Sequence, residues 1–321
     1  MEQNLFLKEI RAVVPSETSL IEAIATALDI SYDAAHRRTS LKSKLSLSES
    51  VILAKHFKLS LDKLFVSKQS NWVSVEKTAP IHDEEGLKAY FESSYKNLTP
   101  LLGKKKCKLI YSAKDIPIFY DLKSDIMMRF KIYVWLKLLD PTFHSVSYSH
   151  FTPSLDIQQI AKRLGDLYED LPITEIWDLT TINGTLKQIH FYFKAGHLTE
   201  KEALMITASL KETIHKIGQR VVTDPTYLFY YNELLIMNNN IYAQVDDQQS
   251  LYIPFTLLSY YRTSDRITCD HAKMYLDKQL QHSKLLNTAG EKERNTFFNK
   301  IHKKIQALEH LISASEALDF E

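Results

Sequence analysis

The chain has 321 residues, of which 45% are hydrophobic and 25% are charged, and its 40 Lys and Arg residues nearly balance 39 Asp and Glu. This near-neutral charge and an aromatic content of 11% exclude an intrinsically disordered chain, and the length suggests about two domains. Only 7 glycines and 9 prolines indicate long helices and few tight turns.

The cysteines and the apolar stretches bear on the compartment. Cys107 and Cys269 lie far apart and form neither a CxxC pair nor a disulfide framework, which predicts two reduced thiols. The charged N-terminal stretch does not resemble a secretory signal. The most apolar region, residues 126–139, is short and is interrupted by three basic residues, so it does not predict a membrane span. We therefore expect a cytoplasmic protein without membrane contact.

The first 66 residues are predicted to form a cluster of short helices. In the first helix, Phe6, Ile10 and Val13 share one face at helical spacing. In the fourth helix, Val51 and Phe57 are expected to point inward together with Ala54. The first helix is predicted over residues 3–14, and the second, capped by Ser16, Thr18 or Ser19, runs to about residue 28. The third covers about residues 32–40. The fourth, capped by Ser46 or Ser48, runs through residue 58, and a final turn follows at 61–65.

A tight turn separates the second and third helices. Asp29 suits this turn because its side chain tolerates a left-handed backbone better than most. Ile30 is expected to fill the core beneath the turn, and Ser31 is a plausible N-cap for the third helix. Ala25 and Ala35 are small enough to let the two helices cross closely.

This order of elements, together with the phrase LAKHFKLSLDKLF at 53–65, resembles the lambda-repressor and Cro-like (XRE-like) helix-turn-helix family of transcriptional regulators. The resemblance covers about residues 3–66. The sequence departs from the family pattern at four positions. Glycine is usual at the place of Asp29 and near Leu41, an apolar or aromatic residue at Arg38, and glutamate at Thr39.

The resemblance implies that a recognition helix, residues 31–40, enters the major groove of double-stranded DNA. Arg37 is the expected base reader, because a guanidinium group binds guanine at two points. Lys42, Lys44 and Arg38 are expected at phosphates, and residues 36–44 contain four basic residues and no acid. The complete set of expected DNA-binding residues is Ser31, Tyr32, Asp33, His36, Arg37, Arg38, Lys42 and Lys44.

The predicted fold class is mainly α. A helix-turn-helix bundle at 1–67 and a linker at 68–82 precede a larger aromatic-rich helical domain at 83–321. A minor β-hairpin is expected from residues 240–245 and 251–255, with Pro254 at a sheet edge. Residues 107–111 are a second candidate strand, short and buried.

The aromatic residues of the larger domain are interpreted as core packing, with a lined pocket for a small effector molecule as the alternative. This set comprises Phe119, Tyr120, Tyr133, Trp135, Phe191, Tyr192, Phe193, Tyr227, Phe229, Tyr230 and Tyr231. Helix-turn-helix proteins commonly bind two-fold symmetric sites, so we expect a homodimer, with residues 267–315 as the candidate interface. The phrases IYSAKDIPIFY and GEKERNTFFNKI are similar to the second part of other long bacterial helix-turn-helix proteins, which implies co-occurrence with a DNA-binding module.

No sequence motif points to catalysis. Phosphate-binding loops, dinucleotide fingerprints, zinc-protease helices and nucleophile elbows are missing from the sequence. Cys269, Asp270 and His271 are adjacent and would point apart on a helix, so they predict no metal site. We expect no enzyme, no cofactor and no metal, but a sequence-specific transcriptional regulator with a small molecule or protein as a further candidate effector. The alternatives are a protein-interaction adaptor or antitoxin-like signalling protein, and a nucleic-acid-processing enzyme built from dispersed carboxylates.

Overall fold

The computed structural model describes residues 2–65, 73–104, 106–234 and 239–317. The chain divides into unit 1, Met1–Ser74, and unit 2, Val75–Glu321. Unit 1 is built from short helices that begin at serine caps, with Ser19, Ser31 and Ser46 each accepting a hydrogen bond from a backbone N–H of the first turn. Its helices are α1 Glu2–Val13, α2 Leu20–Leu28, α3 Tyr32–Thr39, α4 Leu47–His56 and α5 Leu61–Phe65.

The core of unit 1 differs in detail from the predicted one. Val13 is 50% exposed, and Leu7 and Val14 are buried beside Phe6 and Ile10. Spacings of three and four residues both fit a helix, and the neighbouring helices select the face that is buried. For the same reason the prediction for Val51 is wrong. It lies at the surface of α4, whose buried residues are Leu53 and Ala54.

Within its described residues, unit 2 combines eight α-helices with one large sheet. The helices are α6 Glu84–Leu98, α7 Ile118–Asp121, α8 Asp125–Leu139, α9 Leu155–Glu169, α10 Asn183–Lys194, α11 Glu200–Thr223, α12 Arg266–Gln281 and α13 Glu291–Ala317. The strands are β1 Glu76–Lys77, β2 Cys107–Ala113, β3 Ile173–Trp177, β4 Tyr227–Tyr231, β5 Asn240–Val245, β6 Gln248–Pro254, β7 Tyr260–Thr263 and β8 Lys284–Leu285. Within the described residues, no helix is both long and apolar enough to cross a lipid bilayer.

The strands form a mixed sheet in the order β1-β7-β6-β5-β2-β3-β4-β8. The three central strands β2, β3 and β4 are parallel, and every other neighbouring pair is antiparallel. Parallel neighbours need long crossover connections. Helices α7 to α9 supply the first crossover, and α10 and α11 supply the second.

The predicted fold class, mainly α with a minor hairpin, is therefore wrong for the larger part of the chain. Two of the central strands were not predicted. All five residues of β3 are buried, so its sequence ITEIW has no period-2 alternation. The aromatic run of β4, YLFYY, equally fits a helix core, and a short apolar run cannot be assigned by periodicity alone.

The predicted hairpin and the short strand at 107–111 are confirmed. Strands β5 and β6 pair antiparallel around Asp246 and Asp247, with Val245 opposite Gln248. The edge position expected for Pro254 is wrong, because β6 is an inner strand. Pro254 lies at its last residue, opposite Tyr260.

Helices cover both faces of the sheet. Alternate residues of a strand point to opposite faces. Accordingly Leu109 and Tyr111 of β2 join the main core beneath α6, α8 to α11 and α13, while Ile110 packs on the other side against Cys269 and Leu276 of α12. Residues 76–77, within the segment predicted as a linker, form edge strand β1 against β7.

Candidate nucleic-acid interface

Helix α3 presents one exposed face and one packed face. Ala35 is fully buried where α3 packs in unit 1, close to Ile24 of α2 in the same core cluster. Ser31 begins the helix, and its Oγ accepts a hydrogen bond from the Ala34 N–H at 3.3 Å. The side chains expected to contact DNA lie on the opposite, exposed side: Tyr32, Asp33, His36 and Arg37. The N-terminal half of α3 thus presents these four side chains to solvent.

The loop after α3 carries Lys42 and Lys44, and backbone hydrogen bonds fix its shape. The Ser43 N–H donates to the Arg37 carbonyl at 2.9 Å, and Leu41 adopts a left-handed backbone with φ 61°. Both lysine side chains are exposed. Because this backbone is hydrogen-bonded to α3, the loop that carries Lys42 and Lys44 keeps its position relative to the helix that carries Arg37.

Gln3 fastens this loop to α1, and the sequence pattern gave no sign of its role. Its Nε2 donates to the Arg38 carbonyl at 3.0 Å and to the Ser43 carbonyl at 2.9 Å, and its Oε1 accepts from the Leu45 N–H at 3.0 Å. A single amide side chain therefore satisfies three backbone groups across the gap between α3 and α4. A lone glutamine at the start of a helix is invisible to periodicity, because its partners are about 40 residues away.

Arg38 stands apart from the other expected DNA-binding residues because it is paired within unit 1. Its guanidinium donates to Glu49 through Nε at 2.9 Å and to the Ala34 carbonyl through Nη1 at 2.9 Å. The two side chains are only 20% and 19% exposed. The bond to Arg38 lowers the pKa of Glu49, which also completes the capping box of α4 with Ser46. This pairing links α3 to α4, whereas the neighbouring Arg37 side chain is exposed.

Three turns in the described part of unit 1 adopt left-handed backbones at residues other than glycine. Asp29, Leu41 and Lys58 have φ values of 52°, 61° and 54°. The resemblance stated for the sequence led us to expect glycine at the place of Asp29 and near Leu41. The backbone at these positions therefore takes the shape that favours glycine, although the residues differ.

A second polar centre lies in the core of unit 2. The buried Glu175 carboxylate accepts hydrogen bonds from the hydroxyls of Tyr120, Tyr168 and Tyr227, at 2.7 to 3.0 Å, and from the Trp177 indole at 2.7 Å. Burial raises the pKa of Glu175. Its oxygens are saturated by donors and shielded from solvent, which fits a structural role at the centre of the sheet.

The aromatic residues singled out in the sequence pack mostly in this core. Tyr120, Tyr133, Trp135, Tyr227 and Phe229 are buried in the main cluster of unit 2. Only Phe119 of that set lines the cavity between α6 and the sheet, whose other aromatic walls come from different residues.

The part of the chain that the structure describes contains no cluster of metal-binding side chains. No three His, Cys, Asp or Glu side chains of those residues come together as a metal would require. Both cysteines are free thiols, and the buried Cys269 Sγ donates to the Thr263 carbonyl at 3.7 Å.

Comparison of the chain with known proteins gave no matching family, no matching curated protein and no matching solved structure.

Proposed function

We propose that the protein is a sequence-specific DNA-binding transcriptional regulator, in which unit 1 places the N-terminal half of α3 in the major groove. The observation that carries the proposal is the division of α3 into a packed side at Ala35 and an exposed side that holds Tyr32, Asp33, His36 and Arg37. A helix presented in this way is the element that helix-turn-helix proteins insert into the major groove.

The roles within the interface follow from the chemistry of the side chains. Arg37 reads a base, since a guanidinium group bonds guanine O6 and N7 together. Lys42 and Lys44 neutralise phosphates beside the groove. At a base edge, the Asp33 carboxylate accepts a hydrogen bond from a cytosine amino group. Beside the DNA backbone, the same carboxylate would repel a phosphate. Arg38 acts indirectly, by holding α3 against α4 through Glu49.

The experiment that tests this proposal is selection of duplexes from a random library with the full-length protein. We expect enrichment of one sequence, with two half-sites about 34 Å apart or a multiple of that spacing if the protein binds as a homodimer. Replacement of Lys42 by Ala should weaken binding to all duplexes and lower the slope of log K against log salt by about 1. Recovery of no preferred sequence would contradict the proposal.

Lys55→Ala is the matched control for the lysine variant. Lys55 lies exposed on α4, within the same unit, but away from the loop after α3. Its replacement removes the same charge, so a loss of affinity equal to that of Lys42→Ala would show that only the net charge of unit 1 matters.

The homodimer is part of the same proposal, with the interface on the last two helices. Helix α12 exposes Ile267, Met274 and Tyr275, and α13 exposes Leu311. Apolar side chains at such positions are typical of a protein contact. Light scattering of the full-length protein, compared with a Met274→Ser and Tyr275→Ser double variant, should show a dimer that the variant loses.

A second candidate function, protein contact through unit 1, is favoured by one observation. Leu47 and Val51 lie four residues apart on α4 and are both exposed, Leu47 by 79%. An apolar pair of this kind suits an adaptor that binds another protein. In that case a Leu47→Ser and Val51→Ser double variant would lose its protein partner, while Arg37→Ala would have no effect on any activity.

A further inference from the structure

A cavity of about 350 Å³ lies in unit 2 between α6, strand β1 and the sheet. We name it the α6 cavity. Helix α6 forms one wall with Ala89, Tyr90 and Ser94, and strands β2, β6 and β7 form the other with Tyr111, Tyr252 and Tyr260. Its volume lies within the range of sites that hold small organic molecules, roughly 300–1,000 Å³.

Aromatic rings dominate the walls. Tyr90, Tyr111, Tyr252 and Tyr260 line the cavity together with Phe119. Flat rings offer stacking or edge contacts to another ring, each worth about 0.5–1.5 kcal/mol beyond simple burial. The shape and lining therefore favour a planar aromatic ligand over a flexible aliphatic chain.

The tyrosine hydroxyls add neutral hydrogen-bonding groups. Burial raises the pKa of Tyr90, Tyr111 and Tyr260, so each phenol keeps its proton at physiological pH. A neutral phenol both donates and accepts a hydrogen bond. The walls can thus orient a polar substituent on the ring of a ligand.

Two basic side chains and one acidic side chain give the lining of the cavity a net positive charge. The charged residues among the described lining of the cavity are Glu76, Lys77 and Arg262, a balance of 2 − 1 = +1. Arg262 Nη1 lies 3.2 Å from Glu76, and the two side chains are 37% and 68% exposed, so this ion pair is open to solvent on the side of Glu76. An exposed ion pair contributes little, about 0–1 kcal/mol, and a ligand carboxylate can replace Glu76 at a guanidinium group that binds carboxylates at two points.

We propose that the α6 cavity binds a planar aromatic molecule of one or two rings that carries a single carboxylate. The rings lie between α6 and the tyrosines of the sheet, and the carboxylate meets Arg262. The proposed ligand site lies in unit 2 alone. Only the regulation of DNA binding by this ligand rests on the proposed function.

Three variants of the full-length protein separate this site from nonspecific binding. Ala89→Trp fills the cavity from an exposed position on α6, where a larger side chain does not disturb the core. Glu92→Trp is its matched control, because Glu92 is exposed on the same helix but does not line the cavity. Arg262→Gln removes the cation and retains a hydrogen-bonding side chain.

The test is isothermal titration with benzoate, indole-3-acetate and 2-naphthoate, with 2-naphthamide as the uncharged partner of 2-naphthoate. We expect at least one carboxylate to bind to the wild type and to Glu92→Trp with equal affinity, and to show no binding to Ala89→Trp. Loss of the charge, in 2-naphthamide or in Arg262→Gln, should weaken binding about tenfold or more. Circular dichroism and thermal melting check that each variant is folded.

Two results would overturn the inference. One is failure of all three carboxylates to bind to the wild type, and the other is equal binding to wild type and a folded Ala89→Trp. The outcome is distinct from that of the DNA experiment. Ligand binding without DNA binding would contradict the proposed function alone, and DNA binding without ligand binding would contradict this inference alone.

Discussion

At the scale of single residues, two neighbouring arginines of α3 have different surroundings. Arg37 is exposed, whereas Arg38 donates to Glu49 and to the Ala34 carbonyl. In the sequence both belong to the same basic run, HRRTSLKSK, and nothing in that run distinguishes them. The difference arises because Glu49, eleven residues later, lies across from Arg38 once α4 has packed.

Replacement of Arg38 by Ala should lower the free energy of unfolding by about 2 kcal/mol, because hydrogen bonds to a charged partner of this kind are worth about 1.5–3 kcal/mol. The same change at Arg37, which is exposed, should alter stability by less than about 0.5 kcal/mol. Urea denaturation of the two variants measures both. Glu49→Gln keeps the capping geometry and should reproduce part of the Arg38 loss. Equal stability of the two arginine variants would show that the Arg38–Glu49 pair contributes nothing.

Asp121 gives the protein a measurable pH dependence. It is buried in unit 2, 3.5 Å from the Lys131 ammonium, which in turn donates to Thr185 and Gln188. Burial raises the pKa of Asp121 to about 6 from the ordinary 3.8. In the unfolded chain the carboxyl ionises near its ordinary pKa. The folded protein therefore binds the proton more tightly, and the stabilisation by this proton is present at low pH and is lost as the pH rises through about 6.

The Asp121→Asn variant isolates this effect, because it lacks the carboxyl and retains the other titrating groups. We expect the stability of the wild type relative to the variant to fall by about 2 kcal/mol between pH 4.5 and pH 7.5. Denaturation curves at a series of pH values measure the difference. A difference independent of pH would mean that Asp121 titrates at the same pH in the folded and unfolded chains.

At the scale of elements, a helix or strand can be predicted from the sequence when the residues that identify it are neighbours in the chain. The Ser31 cap of α3 is found where it was expected, because its signal lies within a few neighbouring residues. Strands β3 and β4 were missed because the signal that identifies a buried parallel strand is its pairing, here Glu175 opposite Phe229, across more than 50 residues.

The candidate interface shows the same limit. The bounds of α3, its cap and its turn follow from local residues. The pairing of Arg38 with Glu49 and the fastening of the loop by Gln3 do not, because both depend on packing between distant segments. In unit 2, the α6 cavity is lined from seven separate elements, and no stretch of sequence contains it.

The turns of unit 1 carry a prediction about stability. Leu41 has a left-handed backbone that costs a side-chain-bearing residue about 1–2 kcal/mol, and its side chain is 52% exposed. Leu41→Gly should stabilise unit 1 by about 0.5–1 kcal/mol, since the greater freedom of glycine in the unfolded chain offsets part of the gain. Leu41→Ala retains the unfavourable backbone and is the control. A glycine variant less stable than the alanine variant would refute this account of the loop.

At the scale of the whole molecule, the chain joins two units with separate hydrophobic cores and different chemistry. Unit 1 has an exposed helix flanked by basic side chains, and residues 1–68 carry ten Lys and Arg against eight Asp and Glu, a balance of 10 − 8 = +2. Unit 2 has a mixed sheet and a cavity lined with tyrosines. This organisation fits a regulator whose DNA-reading part and ligand-binding part are built from different segments.

The measurement that tests the central proposal most directly is the affinity of full-length Arg37→Ala for the duplex selected by the wild type. Loss of a bidentate contact to guanine should cost about 1–3 kcal/mol, roughly a 5- to 150-fold weaker Kd, and should relax the preference at one base pair. Lys55→Ala should bind within about twofold of the wild type, because an exposed charge away from the interface contributes little. Wild-type affinity and unchanged base preference in Arg37→Ala would contradict the assignment of α3 as the DNA-reading helix.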